Sequence, residues 1–383
     1  MSTQTFPDCS VELSAPVEVG RAAGHHWFPS LHPLTREDIF CCVVRSADQA
    51  QGKWPAWMYL SRDSGRTWRR GTELASYGPI SRALAPDRLL LMPYELWPLH
   101  PGDRRNLVAD GHVLTLAADG TVTVEPRPVR YLGMPRDVED YHAGELYMVT
   151  NGNLLPLRDG RLFSTIYGRF RPDSASNHYT CVAVVSDDGG FTWQFRSIVA
   201  DWPDTPGASE GPDENNTCRL PDGRLLCICR VGSGRAMLYR AMYSADEGQT
   251  WTKPLPLPAQ YSVEPQLVCL EHGIVALTGG RPGIWLWVAP DGRGEAWHTV
   301  NLAAHHNATV ADPALHFHAE CVAGQAEKGP AYTTSYTGTK VISPDEVLIA
   351  YDRLGNGWHG APGPWGKEDA VFVVRARITR RRV

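Results

Sequence analysis

The sequence lacks long apolar runs and has no excess of basic charge. None of its apolar stretches approaches the roughly 18 residues that a membrane-spanning helix requires. The formal net charge is -5 over 383 residues, which gives no electrostatic footprint for nucleic acid or for an anionic membrane. We therefore expect neither nucleic acid nor a membrane among the partners of this protein.

A secretory leader is also missing from the sequence. The first residues, MSTQTFPDCSVEL, contain no basic segment followed by an apolar one. We therefore expect a cytoplasmic protein, and secretion after removal of a leader is the alternative.

Metal-binding patterns are absent too. The nine cysteines include Cys41–Cys42 and Cys227-x-Cys229 but no CxxC pair at zinc-site spacing. These cysteines lie in apolar, strand-like runs, which predicts buried thiols. Histidines occur in three local pairs without an acid or cysteine complement at ligand spacing: His25–His26, His305–His306 and His316–His318. We expect neither a metal nor a cofactor.

Helical periodicity is scarce, and short β-rich runs take its place. Segments such as DIFCCVVR, YTCVAVVS and EVLIAYDR are bounded by Gly, Pro and Asp. The sequence holds 36 Gly and 30 Pro, which suits a chain with many tight turns. These features predict an all-β fold.

One octad, Ser-x-Asp-x-Gly-x-Thr-Trp, occurs three times. The copies are SRDSGRTW at 61–68, SDDGGFTW at 186–193 and SADEGQTW at 244–251, and VAPDGRGEAW at 288–297 is a degenerate fourth. The interval of 125 residues between the first two copies suggests two or three units whose octads have diverged. A period of roughly 45–60 residues is typical of β-propeller blades. We therefore predict one domain over 1–383 with six blades, seven being the alternative.

The octad has the composition of a structural turn. Asp and Ser side chains cap turn amides, Gly adopts positive φ, and Trp packs the hairpin onto its sheet. An enzyme needs one active site, whereas this motif recurs at separate places. We therefore interpret the octad as structural.

The octads resemble the Asp-boxes, or BNR repeats, of the sialidase superfamily. The resemblance extends from about Gly24 to Arg353. It implies a propeller whose Asp-boxes lie between the third and fourth strands of the blades, away from the active centre. It also implies a glycoside hydrolase that acts on a glycan or oligosaccharide.

Two segments resemble the sialidase stretches that supply the nucleophile and its base. GASEGPDENNTCRLPDGRLLCICR (207–230) matches the stretch with the base, which the resemblance assigns to Glu214. AYTTSYTGTKVISPDEVLIAYDR (331–353) matches the nucleophile stretch, which assigns Tyr336 as nucleophile and Asp352 as a later acid. A neutral phenol avoids repulsion by the carboxylate on the anomeric carbon of a sialic acid, provided that a nearby Glu removes its proton.

The same resemblance implies a substrate-carboxylate clamp and an acid. Arg230 and Arg281 fall on two clamp arginines, a task that suits the planar guanidinium. Asp48 matches the loop acid that protonates the leaving group, at an altered spacing, and Arg45 precedes it. Tyr167 in STIYGRF matches an aromatic that lines the sialidase pocket, with a core tyrosine as the alternative.

The resemblance fails at the first clamp arginine. GHHWFPSL (24–31) corresponds to the opening Arg-Ile-Pro of sialidases, and Trp27 stands in the place of the arginine. His25, His26 and Trp27 then form part of a pocket for a different sugar, or a turn whose rings pack on the propeller. The sequence thus predicts a sialidase-type hydrolase releasing a sialic acid or related acidic sugar. The alternatives are a hydrolase or lyase for a neutral or uronic glycan and a non-catalytic carbohydrate-binding propeller.

Overall fold

The computed structural model describes residues 2–48, 54–139, 148–170, 178–325, 331–359 and 367–381. Strands dominate this part of the chain. Their bounds in chain order are β1 Ser2–Thr5, β2 Cys9–Leu13, β3 Val17–Ala23, β4 Trp27–Pro33, β5 Ile39–Val44, β6 Ala56–Ser61, β7 Arg69–Leu74, β8 Ile80–Ala85, β9 Arg88–Met92, β10 Glu95–Pro98, β11 Leu107–Ala109, β12 His112–Leu116, β13 Val122–Pro126, β14 Val129–Leu132, β15 Met148–Thr150, β16 Leu155–Pro156, β17 Leu162–Gly168, β18 Thr180–Ser186, β19 Thr192–Ala200, β20 Asn215–Arg219, β21 Leu225–Cys229, β22 Arg240–Ser244, β23 Leu255–Pro256, β24 Val263–Cys269, β25 Val275–Gly280, β26 Ile284–Ala289, β27 His298–Asn301, β28 Thr337–Ser343, β29 Glu346–Arg353 and β30 Glu368–Arg380.

Helices are short and few within the same residues. The α-helices are α1, Leu302–Thr309, and α2, Ala319–Val322. Three 3-10 turns cover Trp202–Asp204, Pro313–Leu315 and Gly357–His359. None of the helices in the described ranges has both the length and the apolarity needed to cross a membrane. The all-β prediction is confirmed.

The described strands form six sheets. Four of them have four antiparallel strands each, in the orders β4-β5-β6-β7, β8-β9-β12-β13, β20-β21-β22-β23 and β24-β25-β26-β27. Three of these sheets each come from one continuous stretch of chain, whereas β10 and β11, which lie between β9 and β12, belong to another sheet.

The other two sheets are larger. One has the order β15-β10-β11-β14-β19-β18-β17-β16, and an additional β15–β17 pairing closes seven of its strands into a ring. The other has the order β1-β2-β30-β29-β28, with β3 also paired to β30. The N-terminal strands therefore complete the sheet formed by the C-terminal ones, which joins the two ends of the chain.

The first strands of successive sheets lie side by side. Strand β20 contacts β24, β24 contacts β28, β28 contacts β4, and β4 contacts β8. Buried apolar side chains fill the space between neighbouring sheets; Phe40 and Leu60 of one sheet, for example, share a cluster with Leu89 and Leu114 of the next. The chain segments that enter these first strands are therefore brought to one end of the molecule.

The long interval between the first two octads differs from the prediction. It contains one complete four-stranded sheet, β8-β9-β12-β13, instead of two or three units. Strands β10, β11 and β14 also lie in this interval and extend the sheet that carries the second octad, to which β15, β16, β17 and β18 belong as well. One sheet without a copy of the octad and the extra strands of the next sheet therefore lengthen the interval.

The octads are turns between the last two strands of their sheets, and their side chains hold those turns closed. In the second copy, Asp188 Oδ1 accepts hydrogen bonds from the backbone N–H groups of Phe191 (3.0 Å) and Thr192 (2.9 Å). Ser186 Oγ donates to the same carboxylate at 2.8 Å and accepts from Gly190 N–H at 2.9 Å. The first and third copies repeat these bonds around Asp63 and Asp246.

We predict that Asp188→Ala lowers the free energy of unfolding by about 1–2 kcal/mol at pH 7, because the turn amides lose their acceptor. Burial opposes ionisation of Asp188, but its hydrogen bonds from Thr192 and Ser186 outweigh burial and lower its pKa. Its stabilising contribution is therefore present above the ordinary pKa and is lost as the pH falls through the lowered one. Urea unfolding at pH 7 and pH 3 measures this change.

The matched control is Asp187→Ala, since Asp187 is the exposed neighbour in the same octad. We expect this control to change stability by less than about 0.5 kcal/mol. Equal losses in the two variants would contradict the role assigned to Asp188.

Candidate active site

Glu214 and Tyr336 meet at the end of the molecule where the first strands begin. Glu214 directly precedes β20, and Tyr336 directly precedes β28. The Tyr336 hydroxyl donates a hydrogen bond to Glu214 Oε1. Glu214 is buried, whereas Tyr336 is a partly exposed residue, so Tyr336 is the more accessible member of the pair.

The surroundings of Glu214 keep its carboxylate ionised. Burial alone would raise its pKa, but the charge of Arg230, the hydroxyl of Tyr336 and the backbone N–H of Glu264 together lower it. Arg230 Nη1 lies 3.0 Å from Glu214 Oε2, and the Glu264 N–H donates to the same oxygen at 2.8 Å. A charged partner and donors to both oxygens explain why a buried acid remains anionic.

The same surroundings keep Tyr336 protonated. Burial and, next, the negative charge of Glu214 raise the pKa of Tyr336 well above its ordinary value, against a smaller opposing effect of Arg230. A neutral phenol therefore donates to an ionised carboxylate. This is the arrangement that general-base activation of a tyrosine nucleophile requires.

Arg230 is committed to carboxylates of the protein itself. Besides its ion pair with Glu214, its Nη2 lies 2.7 Å from Glu210 Oε2 and donates to Ser233 Oγ at 2.8 Å. Its Nε donates to the Gly232 carbonyl at 3.1 Å. The structure thus places Arg230 beside Glu214 at the end of β21, where its guanidinium already holds partners on every nitrogen.

Two further buried acids adjoin Glu214. Burial and the charge of Glu214 raise the pKa of Glu264 well above its ordinary value, and both of its oxygens accept bonds from Asn151 Nδ2 (2.9 and 2.7 Å). Burial likewise raises the pKa of Asp213, although Arg230 opposes this shift. These shifts disfavour ionisation of both acids, which limits the negative charge around Glu214.

Arg281 lies near Tyr336 and Glu214, and one of its guanidinium nitrogens has no hydrogen-bond partner among the described residues. It is 3% exposed, and its Nη1 is buried without a hydrogen-bond partner among the described residues. Its guanidinium stacks on the Trp358 ring, 4.2 Å from the ring centroid. Burial and the charge of Arg230 lower its pKa, while Tyr336 and Glu214 oppose that shift. Of the two predicted clamp arginines, Arg281 is the one able to receive a carboxylate.

An aromatic wall stands beside Tyr336 instead of a third arginine. The Phe28 ring lies 4.4 Å from the Tyr336 ring, centroid to centroid, and Trp54 and Trp358 lie within 6.0 Å of Phe28. Asp352, fully buried, fixes this contact: its Oδ2 accepts from Phe28 N–H at 2.9 Å and its Oδ1 from Ser335 N–H at 2.6 Å. Asp352 therefore positions the segments on both sides of the phenol.

Trp27 and His26 lie behind this wall. Trp27 is 0% exposed, stacks on Phe28 at 4.3 Å and donates its indole N–H to the Ser46 carbonyl. His26 is also fully buried; its Nε2 lies 3.3 Å from the Tyr59 hydroxyl, and burial, followed by the charge of Arg70, lowers its pKa to about 4. Both side chains pack within the protein, and Phe28 is the residue of this segment that meets Tyr336.

The remaining predicted residues occupy three different settings. The charge of Asp48 raises the pKa of His25 and, more weakly than Tyr336 and Glu214 do, that of Arg281. Tyr167 is buried, and its hydroxyl lies 2.9 Å from that of Tyr94. Arg45 is exposed, pairs with Glu73 and stacks on Trp57, 4.8 Å from the ring centroid. Asp48 thus acts on Arg281 electrostatically, Tyr167 packs in the core, and Arg45 contacts residues of β6 and β7.

Backbone irregularities position several of these residues. Phe28 (φ 50°), Glu264 (φ 51°) and Arg281 (φ 40°) adopt the left-handed region that favours glycine. The pairing of β4 with β5 shifts register next to Phe28, and that of β24 with β25 shifts next to Glu264. Such strained conformations concentrate at functional sites. Sequence reasoning missed Phe28, Glu264 and Trp358; an acid in the β-rich run YSVEPQLV was the one available signal.

We predict that Arg230→Met destabilises the fold by about 3 kcal/mol at pH 8, because it leaves Glu214 buried without its counter-ion. The pKa of Glu214 is lowered in the folded protein, so its ionised form contributes stability above its ordinary pKa and this contribution is lost on acidification. Without Arg230 that contribution disappears, and the difference from wild type should shrink towards pH 4. Urea unfolding of both proteins at the two pH values measures it.

The control is Arg235→Met, which alters an exposed arginine of the following loop. We expect little change from it at either pH. A destabilisation by Arg230→Met that is equal at pH 4 and pH 8 would contradict the charge balance described above.

Comparisons with known proteins bear on the fold. No protein-family model and no curated protein matches the chain. Among solved structures, the chain is similar to a Dyadobacter fermentans protein of unknown function, with a TM-score of 0.66, 17% identity, and coverage of 96% of this chain and 99% of the other.

Two glycosidases are also similar. A Trypanosoma rangeli sialidase in complex with 2,3-difluorosialic acid, as a covalent intermediate, has a TM-score of 0.56 and 14% identity over 94% of this chain and 56% of the sialidase. A Fusarium graminearum α-L-arabinofuranosidase with arabinobiose has a TM-score of 0.55 and 12% identity over 96% of this chain and 98% of the enzyme. At these identities the likeness concerns the fold: the chain has the fold of a sialidase and of an arabinofuranosidase.

Proposed function

We propose that this protein is an exo-acting glycoside hydrolase of the sialidase type that releases a terminal sialic acid or related acidic sugar. The observation that supports this most is the hydrogen bond from the hydroxyl of Tyr336, a partly exposed residue, to the ionised Glu214. The six sheets would be the six blades of a propeller, the octad turns its Asp-boxes, and 1–383 one domain. The shared fold with a sialidase agrees with this proposal.

The first step transfers the sugar to the protein. Tyr336 attacks the anomeric carbon with its phenol oxygen while Glu214 accepts the phenol proton. The bond from that carbon to the leaving oxygen breaks, and Asp48, which acts in its protonated form, gives that oxygen a proton. The product is a sugar joined to the Tyr336 oxygen, and the configuration at the anomeric carbon is inverted once.

The second step returns the protein to its starting state. Asp48 takes a proton from water, and the resulting nucleophile attacks the anomeric carbon. The bond to the Tyr336 oxygen breaks, and Glu214 returns its proton to the departing phenolate. Two inversions give net retention, the outcome of a double displacement.

Arg281 would bind the carboxylate of the sugar. Its unpartnered Nη1 is the donor available for this, because the guanidinium of Arg230 is already bound to Glu210 and Glu214. A planar guanidinium meets a carboxylate with strong, charge-assisted hydrogen bonds. Trp358, stacked on Arg281, would hold the plane of that guanidinium.

A neutral sugar is the second candidate substrate. Phe28, Trp54 and Trp358 give the site an aromatic wall. Arg230 is already paired with Glu214, which leaves little positive charge for an anionic substrate. The chain also shares its fold with an arabinofuranosidase. In this version Tyr336 and Glu214 keep their roles, and the sugar lies against the aromatic rings.

We predict that Glu214→Gln lowers kcat on the substrate that wild type hydrolyses by about 10²- to 10⁴-fold, the usual effect of removing a general base. Tyr336→Phe should lower it at least as much, since it removes the nucleophile. The measurement uses a panel of aryl glycosides: a sialoside, a glucuronide and an arabinofuranoside. Tyr243→Phe is the matched control, because the Tyr243 hydroxyl binds the Arg293 carbonyl on the outer strands.

Each result of the panel is informative. Hydrolysis that survives Tyr336→Phe within tenfold would overturn the assigned nucleophile. Binding of free sialic acid without turnover of any glycoside would make the protein a carbohydrate-binding propeller.

A second prediction concerns Arg281. Arg281→Leu should raise KM for an acidic glycoside by about 10- to 100-fold, the loss expected for a hydrogen bond to a charged group. KM for a neutral glycoside should stay within about twofold. An equal change for both substrates, or none for the acidic one, would contradict carboxylate binding by Arg281 and favour the neutral-sugar version.

A further inference from the structure

Two carboxylates of the protein pair with Arg230, and they differ in their exposure to solvent. Glu210 Oε2 lies 2.7 Å from Arg230 Nη2, and Glu214 Oε2 lies 3.0 Å from Arg230 Nη1. The side chain of Glu210 is 38% exposed, whereas that of Glu214 is 3% exposed. The ion pair with Glu210 is therefore the one of the two that a dissolved anion can replace.

The guanidinium of Arg230 has a single donor left for another partner. Arginine carries five N–H groups. In Arg230 the Nε group donates to the Gly232 carbonyl, Nη1 pairs with Glu214, and Nη2 pairs with Glu210 and donates to Ser233 Oγ. One N–H of Nη1 remains, whereas bidentate binding of a carboxylate needs two parallel N–H groups. A ligand carboxylate can therefore bind Arg230 in this way only where Glu210 is absent or displaced.

Arg230 lies close to the atoms that would meet a sugar. Glu214 joins Arg230 to the phenol, because its other oxygen accepts the hydrogen bond from Tyr336. Arg281 is also near, since the charge of Arg230, second only to burial, lowers the pKa of Arg281. A negatively charged group on a sugar at Tyr336 would therefore be attracted by both arginines. Glu210 and Glu214 together more than cancel the positive charge of Arg230.

The loop that carries Glu210 is held on both sides by backbone hydrogen bonds. The Glu210 N–H donates to the Val231 carbonyl at 3.3 Å, and the Glu210 carbonyl accepts from the Tyr179 N–H at 2.9 Å. Gly211 follows with a φ of 85°, and a Cβ at this position would lie 3.0 Å from the backbone nitrogen and oxygen of Tyr179. A glycine thus allows the close approach of the two segments. Glu210 is therefore presented to Arg230 by a fixed backbone.

We infer that Glu210 determines the specificity of the candidate active site, because its carboxylate occupies the place on Arg230 that the carboxylate of an acidic sugar would take. An acidic sugar then binds through Arg281 without help from Arg230, and a neutral sugar is unaffected. This inference rests on the proposed function. It adds the residue that limits the affinity of the site for acidic sugars.

The test compares the binding of N-acetylneuraminic acid with that of its neutral methyl ester, by isothermal titration calorimetry on the full chain. Glu210→Ala should bind the acid about 10- to 100-fold more tightly than wild type does, the gain expected for hydrogen bonds between charged groups. The ester has no carboxylate, so its Kd should stay nearly unchanged. A residue with only a structural role would not produce this gain, because its loss would weaken the binding of both ligands.

Asp204→Ala is the matched control, since Asp204 is an exposed acid of the same loop. It changes the net charge by the same amount, and we expect the acid to bind as it does to wild type. If Glu210→Ala fails to fold, Glu210→Gln keeps the length of the side chain and removes only its charge. The acid should then bind at least about threefold more tightly than to wild type.

Turnover of acidic and neutral aryl glycosides by the same proteins separates this inference from the proposed function. Tighter binding of the acid by Glu210→Ala, without hydrolysis of any glycoside by wild type, would support the role of Glu210 and overturn the hydrolase. Hydrolysis that depends on Tyr336, with no gain in affinity for the acid in Glu210→Ala, would overturn the role of Glu210 alone. An equal gain for the acid and its ester, an equal gain in Asp204→Ala, or no binding of the acid to any of these proteins would also overturn it.

Discussion

The charge on Glu214 is the feature on which the arrangement of the candidate active site depends. A carboxylate at 2% exposure stays ionised because one oxygen meets Arg230 and the Glu264 N–H, and the other accepts from Tyr336. These partners come from β21, β24 and the segment before β28, so the ionised acid also ties together three sheets. Burial disfavours ionisation of Glu264 and Asp213, which limits the negative charge around Glu214.

Two parts of the fold support this interaction, one close to Glu214 and one far from it. Near the centre, the first strands bring the segments before β20, β24 and β28 together, and local departures from regular pairing turn Phe28 and Glu264 towards Glu214 and Tyr336. Far from it, the octad turns close one hairpin in each of three sheets with the same hydrogen bonds each time. The hydrogen-bonded octad turns therefore contribute to stability, whereas the strained residues Phe28 and Glu264 lie at the candidate active site.

The sequence was sufficient for the all-β class, the structural role of the octads and the pairing of Glu214 with Tyr336, since each rests on a repeated or ordered motif. It could not reveal that Phe28, and not Trp27, meets the phenol, because a register shift and a positive φ decide which aromatic turns inward. Nor could it reveal that Arg230 is occupied by Glu210, because that ion pair depends on the path of a loop. The extra strands β10, β11 and β14 were likewise hidden in one long interval between octads.

The central claim is that a tyrosine activated by Glu214 forms the covalent bond to the sugar. It is tested most directly by trapping: the protein is treated with a 2,3-difluoro acidic sugar, digested, and its peptides are analysed by mass spectrometry. The account predicts one adduct, on Tyr336, and none in Tyr336→Phe. An adduct on Glu214 or any other side chain, or hydrolysis of an acidic glycoside with no adduct on Tyr336, would contradict it.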